Sequence, residues 1–220
     1  MVHTEQEIIN LKQLIAEMWQ LVDSQVRKSK VALLENNKEF AHEIIRREKS
    51  VNSYELLMDR ECENFIALFN PVAVDLRFVL ALIKINNNLE RIGDFAEGIA
   101  RFVADRQTED IPRTLIEELK LDSMFDAVID ILDTTKRALL KEDTKMAAKV
   151  FLADDNIDNI NNDAPSVLAK HIAERPEMAE MALLLYACIR RLERIGDRCN
   201  NIAEDIIFYI DAKEMRHDYK

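Results

Sequence analysis

Two carboxylates four residues apart occur twice in this sequence in the same setting: Glu90 and Asp94 in LERIGDFAEGIARFV, residues 89–103, and Glu193 and Asp197 in LERIGDRCNNIAEDI, residues 192–206. On a helix, at about 100° per residue, Asp94 lies about 40° from Glu90 and Glu97 about 20° on its other side, so three acids share one narrow arc. In the second copy Asn200 stands at the place of Glu97, and Glu204 adds an acid one turn further on. The preceding stretch of each copy carries another pair four apart, Glu48 with Asn52 and Asp154 with Asp158. If those stretches are antiparallel helices, their side chains face the Glu-x-x-x-Asp pairs. Oxygen ligands converging from two helices are what a hard or borderline divalent cation requires, and a cation would cancel the repulsion between the acids.

A single pair of acids four apart is usually a solvated helix face. Duplication changes that balance: eight of the fifteen positions are identical, in register, at a separation of 103 residues. Glu, Arg, Ile, Gly and Asp are retained together while the flanking positions differ, which is the behaviour of a functional surface rather than of a drifting one. Arg91 and Arg194 are either clamps for an anion or partners of the neighbouring acids. Gly93 and Gly196, one residue before each aspartate, most simply permit close helix approach.

The elements that must position these residues are helices. Three glycines and four prolines in 220 residues supply too few turns for a β fold. Ile8, Leu11, Ile15, Met18, Val22 and Val26 recur at helical spacing, and residues 40–69 and 72–103 continue the pattern. The second copy repeats it over residues 115–140, 144–173 and 176–210. Turns at Glu35-Asn36-Asn37, Asn70-Pro71, Glu142-Asp143 and Arg175-Pro176 are short, so neighbouring helices must be antiparallel. The expected fold is all-α: six long helices in two tandem, pseudo-symmetric antiparallel three-helix bundles. The bundles are expected at 1–105 and 114–211, with a polar linker over 106–113 and a tail over 212–220. Pro165 should kink or break the fifth helix near Asn161 to Ala164.

Composition excludes several functions. With 48% hydrophobic and 32% charged residues the chain is neither disordered nor a membrane bundle, and it contains no apolar run of membrane-spanning length. Met1 to Asn10 lacks a signal-peptide core, so a cytoplasmic location is expected. A net charge of −11 argues against a nucleic-acid partner. Cys62, Cys188 and Cys199 have no CxxC spacing and are expected to be reduced and buried. Glu39-x-x-His42 has di-iron spacing but lacks the second motif such a site needs. No phosphate-loop, dinucleotide, nucleophile-elbow or zincin motif occurs, so no enzymatic activity is expected.

The paired segments LERIGDFAEGIA and LERIGDRCNNIAEDI resemble the two E(D)xxxD signatures of the PhoU family, phosphate transport accessory and regulatory proteins. The stretch NPVAVDLRFVLALIKINNNLERIGD resembles that family's longest shared run, and the resemblance covers about residues 5–211. It implies two three-helix bundles, no catalysis, and multinuclear iron or another divalent metal on the signature acids. Divalent or trivalent iron or zinc is expected, with magnesium and manganese as alternatives. Carried over, the metal surface would be Glu48, Glu90, Asp94 and Glu97 in the first copy and Asp154, Asp158, Glu193 and Asp197 in the second. Asn52, neutral where the second copy has Asp158, and Arg101, in the place of Glu204, depart from the fullest acidic pattern. The resemblance further implies negative regulation of the phosphate-starvation response, through contact with a phosphate ABC transporter and a sensor histidine kinase. A homodimer with at most peripheral membrane association is expected. The alternative reading is a metal-binding modulator of another transporter.

Overall fold

A computed structural model of the chain describes residues 2–105, 110–153 and 155–212. The first bundle consists of α1 (Val2–Leu34), α2 (Lys38–Phe69) and α3 (Ala73–Asp105). The second consists of α4 (Arg113–Glu118), α5 (Leu121–Lys141), α6 (Thr144–Ala153), α7 (Asp155–Glu174) and α8 (Ala179–Asp211), the last entered through a short 3-10 turn at Pro176–Met178. In the second bundle α4 with α5 and α6 with α7 take the places of the first two long helices, so two tandem three-helix bundles are present, and no strand occurs among the described residues. No described helix is long and apolar enough to cross a membrane.

The periodic residues do what the spacing requires. Leu11, Ile15, Met18, Trp19, Val22 and Val26 are all buried along one side of α1. The turns are built without glycine. Asn36 and Asn70 take the left-handed backbone at φ 50° and 47°, and Asn37 caps α2 by accepting the Phe40 amide at 3.0 Å. This leaves Gly93, Gly98 and Gly196 free to serve inside helices. All three cysteines are buried free thiols, and burial pushes the Cys62 thiol up to about 12.

Three local expectations are corrected. The helix expected over 115–140 is interrupted at Leu119–Lys120, where Lys120 adopts φ 52°. In an unbroken helix Leu119 and Leu121 would point about 200° apart, yet both are buried. The left-handed residue between them turns the register so that each reaches the core. Of the kink or break expected at Pro165, the break is absent: α7 continues through it to Glu174. Ile160 and Ala164 before the proline and Leu168 after it are buried together, so packing holds α7 across the one missing hydrogen bond. Finally, the stretch expected as a polar linker is anchored where it is described. Ile111 is buried, Asn36 donates to Asp110 Oδ1 at 2.6 Å, and Arg113 already begins α4. Residues 106–109 and the tail from 213 lie outside the described residues.

The bundles are joined along α3 and α8, which the sequence reading did not anticipate. Arg77 donates to the Tyr209 carbonyl at 3.4 Å, Lys84 pairs with Asp205 at 3.2 Å, and Arg198 reaches Asn88 Oδ1 at 3.5 Å. Numbers rise on α3 as they fall on α8, so the two helices run antiparallel. Both acidic segments therefore sit side by side at the middle of the joint.

Candidate functional site

In the first bundle the site is built from α1, α2 and α3. Glu48 follows Ile44 and precedes Val51 and Met58 on the buried stripe of α2, so helical geometry carries its carboxylate inward, to 6% exposure. Gly93 makes the room. A Cβ built there would lie 3.4 Å from Glu48 Oε2 and 3.2 Å from Gln25 Oε1. From α1, the Gln25 side-chain amide donates to Glu48 Oε2 at 3.2 Å, while Glu48 Oε1 is buried with no hydrogen-bond partner. Burial pushes the Glu48 carboxyl up to about 7, aided by the negative charges of Asp94, Glu97 and Glu90 and opposed by the Gln25 bond. Glu90 is likewise pushed up to about 7, first by burial and then by Asp94, with Arg91 opposing.

The acids of α3 are opposed by arginines as well as by one another. Arg91 reaches Glu90 at 3.4 Å and Asp94 at 2.9 Å, and Arg101 pairs with Glu97 at 2.7 Å. Arg91 thus takes the acid-pairing role weighed for it, and the charge that Arg101 adds is directed at Glu97. Arg194, the copy-two counterpart of Arg91, lies over the Phe95 ring of the other bundle, 5.9 Å from its centroid, and its charge also opposes the upward shifts of Glu193 and Asp197.

In the second bundle Glu193 and Asp197 share α8, and Asp158 approaches them from α7. Burial raises the Glu193 carboxyl, followed by the charge of Asp197, while Arg190, 3.3 Å away, opposes. Asp197 is solvent-accessible yet loses enough hydration against the protein to be raised, with Asp158 adding to the effect. Asn161, one turn beyond Asp158 on α7, holds a buried side-chain oxygen with no hydrogen-bond partner. Asp154 lies outside the described residues. The structure therefore brings Glu48 to Glu90, Asp94 and Glu97 in one bundle and Asp158 to Glu193 and Asp197 in the other. Among the described residues, no three His, Cys, Asp or Glu side chains are grouped tightly enough to hold a metal ion as they stand.

Several contributors were missed in the sequence. Gln25 was legible as a polar residue beside Val22 and Val26 in the apolar stripe of α1. Glu55 and Asp59 follow Glu48 by seven and eleven residues, hence on nearly the same side of α2. Asn86 of α3 donates to Asp59 Oδ1 at 2.8 Å and to the Glu55 carbonyl at 3.0 Å. Burial, and then Asp59, raises the Glu55 carboxyl. The acidic strip is thus longer than the repeated motif alone indicates.

These side chains are carboxylates, amides and guanidinium groups, suited to holding ions or presenting charge. Two helical bundles in tandem, each carrying an acidic face on its last helix, define a duplicated all-helical fold. The family model described as the PhoU domain matches residues 15–103 and again 121–206, and the chain belongs to the PhoU family. A phosphate-specific transport system accessory protein PhoU homolog of Thermotoga maritima is 28% identical over 215 residues, covering 98% of this chain and 92% of that protein. The phosphate-specific transport system accessory protein PhoU of Serratia marcescens is 30% identical over 211 residues, covering 96% and 86%. Among solved structures, PhoU from Pseudomonas aeruginosa superposes with a TM-score of 0.85 at 26% identity, covering 95% of this chain and 99% of that one.

Proposed function

We propose that the chain is a non-enzymatic regulator of phosphate uptake that damps the phosphate-starvation response from the cytoplasm. It acts between a phosphate ABC transporter and a sensor histidine kinase. The observation that carries this reading is the PhoU domain match to both halves of one chain, together with relatives named for the phosphate-specific transport system over nearly their whole length. A duplicated helical surface is suited to engaging two partners, and grooves between long helices accept partner helices.

In this reading the acidic faces bind metal: the donor chemistry fits that role, and the carboxylates would draw closer around the ion than they stand without it. Glu48 Oε1 is a buried oxygen lacking a hydrogen-bond partner beside three further carboxylates, and Asn161 repeats the feature in the second bundle. Glu48, Glu90, Asp94 and Glu97 would hold the ion in the first bundle; Asp158, Glu193 and Asp197, with Asp154, would hold it in the second. A donor set of oxygen atoms alone suits iron, manganese or magnesium better than zinc, which favours nitrogen and sulfur. The bound cation would supply charge neutralisation and rigidity to the presenting faces. The chain acts as a homodimer, which light scattering of the purified protein tests.

Deletion of the gene tests the regulatory reading. Phosphate-responsive genes should then be expressed even in phosphate-rich medium. Repression that stays intact without this chain, in a strain lacking any second family member, would overturn it.

A further inference from the structure

The joint between α3 and α8 contains an open groove of about 650 Å³, lined from α3 by Phe95, Gly98 and Arg101 and from α8 by Tyr186, Arg190, Arg191 and Arg194. Four arginines in one groove are unexpected in a chain with a net charge of −11. The acids nearby account for two of them. Asp94 is engaged by Arg91, Glu97 by Arg101 and Glu193 by Arg190. Arg191 bonds to the Ala187 carbonyl at 3.0 Å and Arg194 lies over Phe95, and neither forms an ion pair with a carboxylate among the described residues. Two guanidinium groups thus line the groove with no carboxylate ion-paired to either among the described residues; Arg194 is exposed and feels Glu193 and Asp197 at longer range, whereas Arg191 is half-buried and bonded to a backbone carbonyl.

The groove is also specific to one side of the duplication. Arg190 and Arg191 stand where the first copy has Asn87 and Asn88, and Arg101 stands where the second has Glu204. Three of the four charges therefore depart from the repeat, in a region where the motif itself is retained. Gly98 makes the arrangement possible: a Cβ there would run into the Arg191 side chain, with Cδ at 2.9 Å and Cζ at 3.1 Å. Guanidinium forks recognise phosphate oxygens in pairs of parallel hydrogen bonds. A volume of this size exceeds the needs of a single orthophosphate and falls in the range of small-molecule pockets. Tyr186 adds an aromatic wall.

We propose that the groove between α3 and α8 binds the oligophosphate group of a small anion, with Arg191 and Arg194 as its principal ligands and Arg101 and Arg190 flanking them. The oligophosphate is carried either by a nucleotide or by an inorganic chain.

Calorimetric titration of the full chain with tripolyphosphate, ATP and orthophosphate, in excess chelator, tests the site. Chelator removes cations from the acidic faces, so the outcome is independent of the metal reading. Tripolyphosphate and ATP should bind saturably and at least about tenfold more tightly than orthophosphate, and Arg191→Ala/Arg194→Ala should weaken both by about tenfold or more. Tighter binding of ATP than of tripolyphosphate identifies the nucleotide as the source, and equal binding identifies the phosphates alone. Gly98→Ala retains every charge but displaces Arg191, and should weaken binding in the same direction if the double variant fails to fold. Absence of saturable binding, orthophosphate binding as tightly as tripolyphosphate, or wild-type affinity in a folded double variant or in Gly98→Ala would overturn the proposal.

Discussion

Gly93 on α3 and Glu48 on α2 stand so close that a side-chain carbon at position 93 would lie 3.4 Å from the Glu48 carboxylate. The glycine thus admits the carboxylate into the bundle interior, one residue before Asp94, and its small size serves the same site as the acids around it.

Substitution of Gly93 by valine should therefore destabilise the chain. A Cβ alone already meets Gln25 Oε1 and Val51 Cγ1 at 3.2 Å, and the added methyl groups have nowhere to go. The expected cost is about 1–3 kcal/mol, outweighing the helix propensity gained. A lower urea midpoint with an unchanged slope checks it; an unchanged midpoint contradicts it.

Stability of the metal-free chain should fall as pH rises from 5 to 8. Glu48 and Glu90 have folded-state values of about 7, against 4.5 for an ordinary glutamate. Between those values the folded chain holds more protons than the unfolded one, so each rise in pH favours unfolding until both groups have ionised. The expected loss is a few kcal/mol, with the partly exposed Glu90 contributing less than its shift alone implies. Denaturation in chelator across this range would show a flat profile if the burial of these carboxylates were misjudged.

Glu48→Gln separates the two roles of that carboxylate. Without metal at pH 8 the variant should be more stable than the parent by about 1–3 kcal/mol, because a buried charge is replaced by an amide that can still bond Gln25. At pH 5 the two should be nearly equal. Equal stability at both pH values would show that the charge is not penalised.

Lys120→Gly should stabilise the chain by about 0.5–1 kcal/mol. Lys120 holds φ 52° between α4 and α5 and is exposed, so glycine relieves a strained backbone without loss of packing. Thermal denaturation should show a higher midpoint, and a lower one would mean that the lysine side chain itself contributes.

Helix positions, turns and duplication were legible because each rests on local pattern: apolar spacing, asparagine and proline at the turns, and fifteen aligned residues. The interruption at Lys120 was not, because only burial of both Leu119 and Leu121 reveals the change of register. Nor was the joint of α3 with α8, although the run Phe78-Val79-Leu80-Ala81-Leu82-Ile83 carries more apolar surface than a single buried face needs. At the site, the spacing of Glu90 and Asp94 was visible, and Gln25 stood out as a polar residue in an apolar stripe, but what it does there was not visible. Its role depends on α1 packing against Glu48, a long-range contact that no motif within one helix records.

Metal content tests most directly whether the acidic faces are metal sites. Protein purified without chelator should carry metal, and Glu90→Ala/Asp94→Ala and Glu193→Ala/Asp197→Ala should each lower the metal per chain measured by plasma mass spectrometry. A parent chain free of metal even after incubation with iron, manganese or magnesium, or two folded variants with the parent's metal content, would contradict the assignment.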